Sequence, residues 1–301
     1  MTIADATGNP TRGAAATAST GIGRKPAKPV DGLGVFLTLL TILGALFWVF
    51  PMYWALITSF KPEEDVVQPG IRLWPEHFTF QNYSFVLLNT KIGLWYMNSL
   101  VTSGAVTLLV LITSAMAAYA ISQLDFPGRR ILWWMILASF MVPIPALLVN
   151  HFILMNQFGL INTWAGVILP QLIAPVTVMI YKQFFDSVPK DFREAAIIDG
   201  ATEWQLLWRL YLPINKGITT ALAIITFIGA WNNFLWPFLV ATSEPMMNIT
   251  VGITQVTDAF GVKYARWLAT ATLAALPVAA LYLIFQRRVT QAIMLTAGIK
   301  G

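Results

Sequence analysis

The sequence predicts an all-α fold: a polytopic membrane protein with six transmembrane helices and both termini on the cytoplasmic side. Three observations carry that prediction. The chain of 301 residues is 57% hydrophobic and only 11% charged, with a mean hydropathy of +0.66, whereas a soluble domain carries about 25% charged residues. Charge-free windows long enough to cross a bilayer recur along it. The basic residues fall mostly on one set of connecting segments. So few charges leave apolar surface that would drive association in water, which excludes an ordinary soluble enzyme, a disordered chain and a nucleic-acid binder. There is no Cys, and two His leave little for a metal centre.

Residues 1–32 are rich in Ala, Thr, Gly and Pro and lack the apolar core of a secretory signal, so they read as a flexible cytoplasmic tail before a transmembrane domain, 33–301. No charge lies between Asp31 and Lys61, Lys91 and Asp125, Arg130 and Lys182, Lys216 and Glu244, or Arg266 and Arg287. The Arg130–Lys182 window is too long for one span, and Asn156-Gln157-Phe158-Gly159 with Asn162-Thr163 reads as a polar turn inside it. The expected spans are therefore about 33–58, 93–121, 131–154, 162–183, 217–240 and 267–286.

Orientation follows from Lys and Arg. Fourteen of the nineteen lie on the N-terminal tail, the 122–130 loop, the 184–216 loop and the C-terminal tail; Lys61, Arg72, Lys91, Lys263 and Arg266 lie on the opposite side. The net charge of +5 then reports orientation in the membrane rather than a nucleic-acid partner. The external segment 61–91 carries Trp74, Phe78, Phe80, Tyr83 and Phe85, broken by Pro62, Pro69 and Pro75. It fits an interfacial aromatic belt or a docking surface for an external partner.

The 184–216 loop is the most informative stretch. Pro189 with Asp191 marks a helix start, and Glu194, Ala195 and Ala196 are strong helix formers. Gly200 permits a sharp turn, and Trp204, Leu207, Trp208 and Tyr211 give a second helix one apolar face, which Pro213 is expected to close. The product is a compact cytoplasmic knob able to pass force between a soluble partner and the spans it joins.

Here the chain resembles a known family. Glu194-Ala195-Ala196, Gly200, Leu210 and Leu212-Pro213 reproduce the "EAA" signature of ATP-binding-cassette importer permeases. Asp199-Gly200-Ala201, Ala118-Tyr119-Ala120 with Phe126-Pro127-Gly128-Arg129, Trp231-Asn232-Asn233-Phe234 with Trp236-Pro237, and the ending Gly298-Ile299-Lys300-Gly301 are similar to its sugar-importer, MalG-like members. The resemblance implies a bacterial inner-membrane (cytoplasmic-membrane) permease subunit of a binding-protein-dependent transport system. It implies a second related permease, two ATPase subunits that bind ATP and Mg, an extracytoplasmic solute-binding protein and a carbohydrate substrate, with lipid around the spans. It makes Glu194, Ala195, Ala196, Asp199, Gly200, Leu212 and Pro213 the ATPase-coupling contact. It places Thr257, Asp258, Gly261, Lys263 and Tyr264 against the binding protein, and Lys300 with Gly301 against the ATPases, although Ala292 to Thr296 depart from the family pattern. The chain carries no phosphate-binding Gly-x4-Gly-Lys-Ser/Thr motif, so it is expected to be non-catalytic and to hold no cofactor.

A polar solute crossing a bilayer needs hydrogen-bonding groups facing a cavity. Asn98, Ser99, Trp231, Asn232, Asn233 and Trp236 are the candidates for that path, with Asn150 and His151 as further polar residues in spans; interhelical glue is the other role open to such amides. The alternative is an ion-coupled secondary transporter of a small polar solute. Against it, the span interiors hold no Asp, Glu, Lys or Arg, which ion coupling usually places there.

Overall fold

A computed structural model describes residues 32–70, 72–256 and 263–296, with side chains up to residue 286. All regular secondary structure among the described residues is helical. The chain divides into two units, one ending at Phe50 and the other beginning at Pro51. The first holds most of α1 (Gly32–Ser59), whose best 18-residue window has a mean hydropathy of 2.4. Of the expected tail, 1–32, residues 1–31 lie outside the described residues and Gly32 is the first residue of α1.

The second unit contains the rest. Two short helices, α2 (Glu63–Val66) and α3 (Gln81–Asn89), lie in the 61–91 segment, and α4 (Ile92–Gln123) is the central long helix. Then come α5 (Arg129–Phe140), α6 (Ile144–Gln157), α7 (Trp164–Ile168), α8 (Pro175–Asp186) and α9 (Lys190–Ile198). A helical arm follows, made of α10 (Glu203–Gln205), a π-helical turn over 206–211 and α11 (Leu212–Ile214). The remaining helices are α12 (Lys216–Trp231), α13 (Leu235–Val240), α14 (Ile249–Gly252) and α15 (Tyr264–Thr296).

The windows expected at 93–121 and 267–286 are single helices, α4 and α15, each longer than expected. Three other windows are not continuous. The 131–154 window bends by 101° between α5 and α6, where Pro143 and Pro145 remove amide donors and bar helix continuation. The 162–183 window bends by 50° ahead of Pro175. The 217–240 window stops at Trp231 and resumes at Leu235, so the break precedes Pro237 rather than falling on it. Nor does Pro213 end its helix. It sits in the last turn of the arm, preceded by the π turn in which the Leu212 amide donates to the Leu207 carbonyl, five residues back. That widening relieves the clash a proline ring makes with the carbonyl four residues earlier. The chain turns by 84° two residues later, at Asn215.

Two apolar clusters hold α4 in place. One joins Ala115, Ala118 and Tyr119 to Tyr181 and Phe185 of α8, Leu206, Leu207 and Tyr211 of the arm, and Ile218 and Ala221 of α12. The other joins Ile92 and Trp95 to Val86, Trp231, Ile249, Val251 and Ala274. A Cβ on Gly252 would come within 2.2 Å of the Trp95 ring, so only glycine allows α14 to lie that close.

Candidate functional site

The segment 189–214 folds as a helix, a tight turn and a helical arm. Pro189 is the N-cap of α9 and Asp191 lies in its first turn, where a carboxylate offsets the helix dipole. At the other end Gly200 takes φ +81°. Its amide donates to the Ile197 carbonyl at 2.9 Å and the Ala201 amide donates to the Ala196 carbonyl at 2.9 Å, the paired bonds of a Schellman C-cap. Nothing lies within 4 Å of a Cβ built there, so glycine serves backbone conformation and not space. Thr202 then caps the arm: its hydroxyl accepts from the Gln205 amide, and the Gln205 side chain accepts from the Thr202 amide at 2.9 Å.

The inner face of this knob is anchored. Leu206, Leu207 and Tyr211 are buried among α4, α8 and α12. The Tyr211 hydroxyl donates to Gln123 Oε1 at 2.6 Å. Arg193 Nη2 meets Glu203 Oε1 at 2.6 Å, and the other carboxylate oxygen of Glu203 accepts from the Tyr119 hydroxyl. The outer face is open. Glu194, Ala195, Asp199 and Gly200 are exposed, Ala196 is half-buried, and α9 has no buried residue. Phe192, Ile198 and Trp204 show 53%, 85% and 58% of their surface. A groove of about 410 Å³ runs beside the turn between Ala196, Asp199, Gly200 and Arg209. Of the expected coupling residues, Leu212 is half-buried and Pro213 exposed at the base of the knob.

The six path candidates separate by environment. Asn98 and Ser99 are fully buried on α4. Asn98 Nδ2 donates to the carbonyls of Pro245 and Met247 at 2.8 and 3.0 Å, and its Oδ1 accepts from Trp164 Nε1 at 3.0 Å. Ser99 Oγ accepts from the Ile249 amide at 2.8 Å, while Asn248 donates to Thr102. These bonds bind the 245–249 segment to α4. Trp231 and Trp236 are also buried. Trp231 Nε1 donates to the Ala274 carbonyl at 3.2 Å and Trp236 Nε1 to the carbonyls of Gly166 and Val167. The two asparagines between them sit in the helix break. Asn232 is exposed, and its side chain makes no hydrogen bond among the described residues; Asn233 is half-buried, donating to Gln171 Oε1 at 2.7 Å. Asn233, Gln171, His151 and Trp236 line a largely apolar cleft of about 400 Å³. Sequence reasoning passed over Gln171; its signal was a lone amide beside Pro170 inside a charge-free window.

Elsewhere in the second unit, Glu63 caps α15. Its two carboxylate oxygens accept from the Tyr264 and Ala265 amides at 2.8 and 2.9 Å. Tyr264 is exposed and Lys263 half-buried. Thr257, Asp258, Gly261, Lys300 and Gly301 lie outside the described residues. Nearby, Lys61 is buried, donating to the Arg72 carbonyl at 2.7 Å with its ammonium 4.9 Å from the Trp54 ring centre. Burial, then the charge of Arg72, pushes its pKa down, against a smaller upward pull from Asp65.

Broken apolar helices joined to an anchored knob at 189–214 are the frame of a helical membrane permease. The family model for the binding-protein-dependent transport system inner membrane component matches residues 111–294, and the chain belongs to that family. It is 32% identical over 270 residues to the arabinooligosaccharides transport system permease protein AraQ of Bacillus subtilis (strain 168), covering 89% of this chain and 96% of that one. It is 33% identical to the diacetylchitobiose uptake system permease protein NgcG of Streptomyces coelicolor, covering 83% and 84%. It is 30% identical to the sn-glycerol-3-phosphate transport system permease protein UgpE of Yersinia pestis, covering 85% and 94%. Among solved structures it superposes with TM-score 0.75 and 23% identity on a chain of a bacterial ABC transporter involved in the import of the polysaccharide alginate, covering 85% and 95%.

Proposed function

We propose that this chain is a membrane subunit of an ATP-driven, binding-protein-dependent carbohydrate importer. It forms the path with a second permease and is driven by two ATPase subunits that hold ATP and Mg. The observation that carries this reading is the knob at 189–214, which is anchored to α4, α8 and α12 and bare on its outer face. A lever must be rigid toward what it moves and open toward what moves it. Glu194, Ala195, Asp199 and Gly200 form the open end, with Ala196 beside them, and the small residues permit close backbone approach. Relatives of this length act on arabinooligosaccharides, diacetylchitobiose and sn-glycerol-3-phosphate by name, which supports a sugar or sugar derivative as cargo.

In this reading α1, α4, α5 with α6, α7 with α8, α12 with α13, and α15 are the six spans, and both termini are cytoplasmic. ATP binding draws the two ATPases together, the knobs follow, and the permease pair opens toward the loaded binding protein; hydrolysis resets it. Asn232 and Asn233, in the helix break, face the path, while Lys263 and Tyr264 lie on the binding-protein side. The test is substitution of Glu194 and Gly200 in the reconstituted importer. Transport and sugar-stimulated ATP turnover should fall together while assembly persists. Unchanged turnover and transport in both variants would overturn the coupling role.

A further inference from the structure

A second polar cavity, unrelated to the knob or the helix break, lies where the α4–α5 turn meets α8. It encloses about 600 Å³ and is lined by Arg129, Arg130, Lys182, Trp133 and Asp125 among others. Three cations line it with Asp125, Asp186 pairs with one of them, Lys182, and each cation is differently placed. Arg129 is fixed, its guanidinium donating to the carbonyls of Leu124 and Ser122 at 3.0 and 3.2 Å. Lys182 is steered by two contacts, its ammonium 5.0 Å from the Trp133 ring centre and 2.6 Å from Asp186. Arg130 is exposed and has no ion-pair partner among the described residues. Directly beyond the basic end, α5 turns an apolar column outward: Ile131 shows 67% of its surface, and Trp134 and Met135 each show 60%.

We propose that this cleft binds the phosphate-bearing headgroup of an anionic glycerophospholipid, with Arg130 and Lys182 as the phosphate ligands and Arg129 as a fixed wall. A cationic pocket alone would suit any soluble anion. This one opens onto a continuous apolar strip at the end of a membrane helix, beside two tryptophans of the kind that mark the interface. Basic pockets between helices at a bilayer surface select anionic headgroups, and the strip accommodates the acyl chains. The mixture of hard cations and apolar column matches a lipid rather than free phosphate. The inference rests on membrane embedding and is independent of the cargo or of coupling to ATP.

The test is native mass spectrometry of the full-length chain with the subunits that co-purify with it, titrated with phosphatidylglycerol or phosphatidylcholine of the same chain length. Phosphatidylglycerol should be retained at least about tenfold more tightly. Arg130→Gln and Lys182→Gln should each weaken it about fivefold, and the double variant more than either alone. Arg130→Lys, which keeps the charge, should restore most of the binding, and Lys216→Gln, an exposed cation elsewhere, should change nothing. Equal retention of the two lipids, or wild-type retention in the double variant, overturns the proposal. So does displacement by millimolar inorganic phosphate, which would make the site one for soluble anions, or loss of a co-purifying subunit with lipid retained, which would make it a protein interface.

Discussion

Arg193 and Glu203 meet at 2.6 Å across the Gly200 turn, and Glu203 hands its second oxygen to Tyr119 of α4. The helix that carries the exposed face of the knob is thereby tied to the central helix α4 through one carboxylate. An isolated exposed ion pair contributes about 0–1 kcal/mol, but a hydrogen bond to a charged group contributes about 1.5–3 kcal/mol. Glu203→Gln should therefore lower thermal stability modestly, by about 1–2 kcal/mol, and uncouple ATP turnover from transport more than it unfolds the chain. Thermal unfolding in detergent, compared with the ratio of sugar moved to ATP consumed, checks this; an unchanged ratio removes the tie from the lever.

Gly200 tests the turn without touching a neighbour. At φ +81° a side chain costs about 1–2 kcal/mol of backbone strain, and there is room for it. Gly200→Ala should destabilise by about that amount, and Gly200→Asn by less, because Asn tolerates this conformation. Equal stability of all three proteins would show that the left-handed turn is not kept in the membrane.

Lys61 should leave a signature at high pH. Its folded-state pKa lies below the free lysine value, which is about 10.4. Between the two values the unfolded chain holds a proton that the folded chain has lost, so stability rises with pH across that window. Thermal unfolding from pH 8 to pH 11 should show this rise in the wild type, and Lys61→Met should flatten it. A Lys61→Met curve parallel to the wild type would assign the rise to other groups.

Asn98 and Asn232 should behave as opposites. Asn98→Ala removes two bonds to the 245–249 segment and leaves the Trp164 indole without its acceptor, a cost of about 2–4 kcal/mol. Asn232→Ala touches no bond and should change stability by less than about 0.5 kcal/mol, while raising the KM for transport. If Asn98→Ala keeps its stability and instead weakens sugar uptake, the buried network is not its role.

The apolar windows were legible as helical segments because exclusion of charge is a first-order property of composition, visible without any partner. The Gly200 turn was legible because only a glycine is favoured there, and the two helices flanking it lie where their formers stand. The helix break at Asn232 and Asn233 was not, since it depends on Gln171 and Thr250 reaching in from elsewhere. Asn98 read equally as lining or as glue, because its acceptor carbonyls lie 147 and 149 residues away and an amide carries no mark of its partner. The π turn before Pro213 also has no composition of its own; it is how the chain passes a proline without stopping.

The cap that Glu63 places on α15 has a consequence for the order of assembly. Its acceptor oxygens are synthesised 201 and 202 residues before the amides they serve, which closes one of the longest loops in the chain. Closure entropy grows only slowly with loop length, so the delay matters more than the distance. Until α15 is made, the α2 carboxylate stands without the amides it caps, and this part of the fold stays unlatched. Any segment that must thread into place has that interval in which to do so, and the last of the described helices is the one that locks the 61–91 segment.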